Sequence, residues 1–384
     1  MPSVLVIGCA NFYGRAVIQQ LCAERDQGSA WVIRGVDKVL PQLASFPEPT
    51  LKLYDTIDYR MGNLRNSGFL EQAFERGDSG APWDYVINLA AEYKFGQTAG
   101  VYEQDVHQVS LNIARLAAKH KAGALVHLST AHLFKPGSSS NALHKEDDEV
   151  EAQNELAACH LRAEQDICAL SDMPPLVILR PALCYGPGDR QNVVPMMISA
   201  QISRSTDQPM PVLWEKDLRV STVHVDDVAR ACLAAARWAA QTQKPGSKSV
   251  FNLADPGDTT NAKLAQAVGQ LFSVKPSFQN SAINFIAKRL KTSELTEEVN
   301  ESLLGPWMTL LTAHGVANSP LSPYLDQEHP YCRLEHCPLA IDGSRITSTP
   351  NLEFSYKHPQ VSPQALRPMV EEFQQVKLWP NIPL

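Results

Sequence analysis

An α/β fold on a doubly wound parallel sheet is predicted by three features of the 384-residue chain. Near-continuous apolar runs recur through the first half. Amphipathic segments with three- and four-residue apolar spacing separate them. A glycine-containing turn joins the first run directly to the first such segment. Runs rich in Val, Ile and Leu suit parallel strands covered on both faces, and their alternation with helices implies right-handed crossovers.

The elements follow in order. Strands are expected over 3–8 (SVLVIG), 30–37 (AWVIRGVD), 83–91 (WDYVINLAA), 123–130 (GALVHLST) and 175–182 (PLVILRPA). Helices such as GRAVIQQLCAE (14–24) and VSLNIARLAAKH (109–120) carry the periodicity of one buried face. The polar stretch 135–155 is expected to be an exposed loop leading into a helix. Beyond a Gly/Pro-rich connection at 186–195, residues 220–241 read as a short strand entering a long helix. SVFNLAD (249–255) reads as one more strand. From about Pro256 helical patterns broken by prolines dominate, including NAKLAQAVGQLF (261–272) and INFIAKRL (283–290). The expected division is a nucleotide-binding unit over 1–185, rejoined by 221–255, and a smaller, mostly helical cap from 186–220 and 256–384.

Composition narrows the function. A net charge of −7 argues against a nucleic-acid or anionic-membrane partner. No apolar run approaches the roughly 20 residues that span a bilayer. Eight cysteines dispersed through a long chain read as reduced thiols rather than a disulfide framework. The first strand begins almost at Met1, leaving no room for a secretory leader, so a cytoplasmic protein is expected. The sequence is silent on oligomeric state and leaves a homodimer open.

Gly8, Asn11 and Gly14 lie three residues apart between the first strand and helix. This placement suits a phosphate cradle: Gly8 makes the turn, Gly14 lets the helix pack closely, and the helix N-terminus faces a pyrophosphate. Asn11 stands where a middle glycine is usual, and Asn is the side chain that best tolerates a left-handed backbone. Asp37, closing the second strand, fits a ribose hydroxyl and favours NAD over NADP, although Lys38 follows it.

Further motifs follow in order: NLAAE (88–92), VHLSTAHLF (126–134), ILRPALCYGPGD (178–189) and STVHVDDVARA (221–231). Together with the turn they resemble the extended short-chain dehydrogenase/reductase superfamily, in its NAD-dependent epimerase/dehydratase and 3-beta-hydroxysteroid dehydrogenase/isomerase-like branch. The resemblance covers about residues 1–260. It continues faintly through SPYLDQE, IDGSRI and LRPMVEEFQQVKLWP, which look like the tail of fungal members. It implies a Rossmann-type fold in which Gly8, Asn11, Phe12, Tyr13 and Gly14 form the pyrophosphate turn. Asp37 would meet the ribose, Asn63 and Leu64 of GNL the adenine. Leu89, Ala90 and Ala91, then Pro181 to Leu183, would line the cofactor cleft.

Redox members of this superfamily use a Ser or Thr with a Tyr-x-x-x-Lys pair. Thr130 aligns with the hydroxyl. The helix NELAACHLRAEQDICAL (154–170) resembles the one that carries the pair, yet places Leu156 at the Tyr and His160 at the Lys. No tyrosine occurs between Thr130 and Pro181. Leucine cannot exchange a proton, so ordinary alcohol–ketone interconversion is not expected from this helix. By the same resemblance His107 replaces a helper Asn. The titratable groups expected in the cleft are Glu92, Tyr93, Thr130, His132, His160 and Tyr185, with His132 and Glu92 first for proton transfer. The expected function is non-redox acid–base chemistry, namely dehydration, isomerisation or cyclisation of a hydrophobic small molecule in natural-product biosynthesis. Phe272, Phe278, Phe285, Trp307 and Met308 of the cap would offer it apolar surface. Two alternatives are an NAD(P)-dependent oxidoreductase with Tyr93 or Tyr185 as relocated donor, and a non-enzymatic dinucleotide sensor. His329, Cys332, His336 and Cys337 share ligand chemistry with zinc sites, but adjacent His336 and Cys337 converge poorly and no metal is expected.

Overall fold

The computed structural model describes residues 1–77, 80–135, 142–278, 292–333 and 338–384. Seven strands form one sheet: β1 (Ser3–Ile7), β2 (Val32–Asp37), β3 (Asp58–Met61), β4 (Tyr85–Asn88), β5 (Ala124–Leu128), β6 (Leu176–Pro181) and β7 (Lys248–Leu253). Their order is β7-β6-β5-β4-β1-β2-β3, and every neighbouring pair is parallel. The winding reverses between β1 and β4, the place where such sheets open a ligand crevice.

The apolar strands explain the layering. Along β1, Val4 and Val6 face one side while Leu5 and Ile7 face the other, as a two-residue period requires. The first side packs on helix α1 (Phe12–Asp26) through Ile18 and Leu21, and on α4 (Val225–Thr242) through Val228 and Cys232. The second packs on α2 (Val109–Lys119) through Ile113 and Ala117, and on α3 (Glu155–Ala169) through Ile167. A separate core gathers Val194, Ile198, Leu264, Phe272, Trp307, Leu366 and Trp379 from the segments after β6.

Several expectations need correction. β3 is an edge strand of mixed exposure with the polar sequence DYRM, so it carries no apolar run to read. Short strands at Leu183–Tyr185, Met210–Val212 and Pro276–Phe278 also escaped the pattern. The stretch before α3 is not uniformly exposed: Glu146 is buried and accepts the Asn252 N–H at 2.9 Å. Phe272, Phe278 and Trp307 are not among the residues that line the main cleft. Phe272 and Trp307 pack around Trp379, with centroids 6.0 and 5.0 Å from it, within this second core. Phe278 packs against that core, while Met308 points to solvent. Phe285 and INFIAKRL lie outside the described residues. Among the described residues no helix is long and apolar enough to cross a membrane.

Candidate active site

A cleft of about 1170 Å³ opens along the carboxyl ends of β1, β2, β4, β5 and β6. Pro320, Ser322, Tyr324, Asp326 and His329 from the C-terminal region border it on the far side.

At its nucleotide end the glycines do what the turn demands. Gly8 has φ +83°, and a Cβ there would lie 2.7 Å from the backbone of Leu89 and Ala90. A Cβ on Gly14 would sit 2.0 Å from the Gly8 carbonyl oxygen. Asn11 corrects the expectation: its backbone is extended (φ −81°, ψ −178°), not left-handed. Its side chain caps α1 instead, Oδ1 accepting from the N–H groups of Tyr13 (3.0 Å) and Gly14 (2.8 Å), while Nδ2 donates to the Leu89 carbonyl (2.7 Å). Two N–H groups that an anion could use are therefore already satisfied.

Asp37 is buried in the cleft wall and accepts from the N–H groups of Ala10 (2.9 Å) and Val39 (3.1 Å). Burial raises its pKa. Asn63 and Leu64 border the same end. Lys38 lies 3.3 Å from Asp105 and 3.7 Å from Glu92, so its ammonium is paired with carboxylates. Tested against these contacts, the residues fit NAD. Asp37 presents a carboxylate for ribose, the cleft continues past it, and the neighbouring lysine is already neutralised. Asn11 narrows the pyrophosphate contact without closing it.

At the reaction end, Ser129, Thr130, His132, Leu156, Ala157, His160 and Pro181 to Cys184 line the wall. Asn154 caps α3 by accepting the Ala157 N–H at 2.8 Å, which fixes the helix register. Leu156 and His160, one turn apart, then share its buried face. Thr130 Oγ1 accepts the His132 N–H at 3.2 Å. His160 is 2% exposed, and its Nδ1 has no hydrogen-bond partner. Burial, with His127 and His132 adding to it, lowers its pKa to about 3; burial alone lowers His132 to about 4. Both rings are neutral at physiological pH.

Two of the cleft tyrosines are held in a stack of rings. Phe12, Tyr13 and Tyr93 form a ring ladder with 5.0 Å steps, extended to His160 at 6.4 Å. The Tyr93 hydroxyl donates to the Leu89 carbonyl at 2.9 Å. Burial drives the pKa of both Tyr13 and Tyr93 upward.

Other expected residues lie elsewhere. Tyr185 is fully buried behind the cleft wall, edge-on to His224, donating to the Gln360 carbonyl at 3.2 Å. Glu92 borders the cleft but is occupied at the nucleotide end by Lys38 and the Lys94 N–H. His107 sits in a wide helical turn and bridges Glu103 (2.8 Å) to Asp166 of α3 (2.7 Å), outside the cleft lining. Leu89 and Gly14 act through backbone from behind the wall.

Two groups were not anticipated. Ser129 Oγ is buried at the cleft without a partner. His329, read from sequence only as a half-formed metal motif, borders the cleft. Burial and His132 lower its pKa to about 3 against an opposing effect of the Gln191 backbone. Cys332 is core, its thiol pushed up to about 12 by burial, which disfavours the thiolate a metal requires. His336 and Cys337 lie outside the described residues. The three-residue group His224, Asp226 and His358 has its two imidazoles stacked 3.8 Å apart, so their in-plane lone pairs run side by side rather than converging.

Comparison with known proteins agrees with this architecture. Residues 4–254 match the NAD dependent epimerase/dehydratase family, and the chain belongs to that family of extended short-chain dehydrogenase/reductase enzymes. It is 25% identical over 245 residues to a decarboxylating sterol-4-alpha-carboxylate 3-dehydrogenase of Candida albicans, covering 62% of this chain. The match spans 65%, just under two thirds, of that relative's length. Among solved structures, UDP-glucuronic acid 4-epimerase of Bacillus cereus in complex with UDP-glucuronic acid and NAD superimposes with a TM-score of 0.63 at 17% identity. It covers 97% of this chain and 99% of its own. The Bordetella bronchiseptica enzyme WbmG, in complex with NAD and UDP, gives 0.63 at 15% identity over 99% and 97%. At these identities the structures speak for the fold.

Proposed function

We propose that this family member binds NAD and carries out acid–base conversion of a hydrophobic ketone or alcohol without net redox: isomerisation, dehydration or cyclisation. The observation that carries the reading is the buried face of α3, whose Leu156 and His160 line the same cleft as Thr130 where the family resemblance expects a proton-transferring Tyr and Lys. NAD, when bound, supplies a hydride-accepting ring, and Asp37 and the α1 turn would hold it. Pairing of Lys38 with Asp105 and Glu92 favours NAD over its 2′-phosphate.

The chain's own groups account for the chemistry. Thr130 orients a substrate oxygen. Neutral imidazoles with depressed pKa values are weak bases but good hydrogen-bond donors, a mode in which histidine polarises carbonyls elsewhere. His160, with Nδ1 unpartnered, and His132 hold and pass a proton between carbons of the substrate. A role in natural-product biosynthesis is part of this proposal.

The test is solvent-deuterium incorporation into a panel of cyclic enones and β-hydroxy ketones, with absorbance of reduced nicotinamide followed in parallel. Exchange or double-bond movement without reduced nicotinamide is expected. Reduced nicotinamide formed in step with product contradicts the reading.

A further inference from the structure

We infer that His329 is the donor that binds the oxygen of a carbonyl substrate, through its Nε2–H. This deepens the proposed function and rests on it for the identity of the step, though not for the donor itself.

The tautomer follows from one contact. His329 Nδ1 accepts the Tyr331 N–H at 3.1 Å, so the neutral ring carries its hydrogen on Nε2. Nε2 is buried without a well-formed hydrogen bond, and among the described residues the Gln191 backbone is the one group that acts on the ring as an acceptor would. The residue is 2% exposed yet borders the cleft. Buried donors are nearly always satisfied, and one left open at a cleft calls for a ligand acceptor. Two further orphans share the wall, His160 Nδ1 and Ser129 Oγ.

The ring is held in place for such a task. Its own N–H donates to the Asp326 carbonyl at 3.0 Å, and its face meets the Phe95 ring edge-to-face at 5.0 Å. Asn154, which caps α3, also donates to the Glu328 carbonyl at 3.1 Å. One residue thus ties the cap that positions His160 to the segment that positions His329.

In an enone isomerisation the proton on the carbon beside the conjugated system passes to an imidazole nitrogen. The C–H electron pair becomes a C=C bond, and the carbonyl oxygen takes up negative charge. The Nε2–H bond to that oxygen strengthens as the charge grows. The proton returns to another carbon of the same dienolate, so no electrons leave the substrate.

The probe is cyclohexenone, titrated into the full-length protein with isotope-labelled histidine. Nitrogen NMR is expected to show His329 as the Nε2–H tautomer, with that resonance moving on titration. The carbonyl stretch of bound probe is expected at lower frequency, the shift lost in His329→Phe and partly restored in His329→Gln, whose amide donates. A Nδ1–H tautomer, a resonance unmoved at the solubility limit, or an undiminished carbonyl shift in His329→Phe overturns the inference. The tautomer is read on the unmodified chain, so the test survives a variant that fails to fold. Reduced nicotinamide appearing while the His329 effects persist would remove the non-redox reading and leave this one standing.

Discussion

At the nucleotide end of the cleft, Gly8, Gly14 and Asp37 all stand where a dinucleotide needs them, and only Asn11 departs. At the reaction end of the same crevice, Leu156 and His160 line the wall where the family resemblance expects a proton-transferring Tyr and Lys. The difference lies in what each position also does for the fold. Gly14 must be glycine because α1 packs against the Gly8 carbonyl, ligand or none. Leu156 and His160 meet no such demand; a buried helix face accepts several side chains, so its chemistry can change while the scaffold stands. The glycines therefore testify mainly to architecture, whereas Asp37 and the histidines carry the functional information.

Four substitutions or titrations would break or sharpen this contrast. The largest effect is expected from His160→Leu, which removes the imidazole but keeps an apolar α3 face. Turnover in the deuterium-exchange assay should fall on the order of 10³-fold with NAD affinity unchanged. Unaltered turnover would detach His160 from the chemistry.

Gly14→Ala comes next. The added Cβ meets backbone at 2.0 Å, so denaturant unfolding should show a loss of roughly 3 kcal/mol, together with weakened NAD binding. A stable variant would mean that α1 can shift away from β1.

The third is acid sensitivity. The folded-state pKa of His160 is lowered from 6.5 to about 3, so the unfolded chain binds its proton first. The stability that depends on a neutral ring is complete above pH 6.5 and is lost as pH falls through the window down to about 3. Between pH 7 and 5 this one group should account for a loss of roughly 2 kcal/mol, measured as a shallower pH dependence of unfolding in His160→Leu. Asp189, buried with its pKa raised to about 6, acts with the opposite sign. Its contribution is present at low pH and is lost as pH rises through about 6, so the variant comparison is needed to isolate the histidine.

The smallest effect is expected from Asn11→Gly. Removing the cap costs only a few tenths of a kcal/mol of stability. It also releases the Tyr13 and Gly14 N–H groups, so calorimetric titration should find NAD bound more tightly. Weaker binding would show that the Asn11 amide assists the nucleotide rather than competing with it.

Much of this architecture was legible in the chain itself. Strands such as SVLVI and LVILRP are buried on both faces and therefore apolar throughout, while the edge strand DYRM has no such signature. The α1 turn, Asp37 and the Leu156/His160 spacing were legible because each depends on residues close in sequence. The role of Asn11 was misread because a side-chain cap and a left-handed turn call for the same residue type. Tyr185 and the cap aromatics were misplaced because aromatic residues fill cores as readily as ligand sites. His329 could not be placed at all. It reaches His132 from a segment nearly 200 positions further along, through packing that no local pattern records.

The central claim is that this cleft moves protons and not hydride. Rapid-mixing absorbance of the NAD-loaded protein with a substrate from the enone and hydroxy-ketone panel tests it most directly. No reduced nicotinamide, even transiently, is expected while solvent deuterium enters the product. A transient reduced-nicotinamide band that rises and decays at the rate of turnover would contradict it.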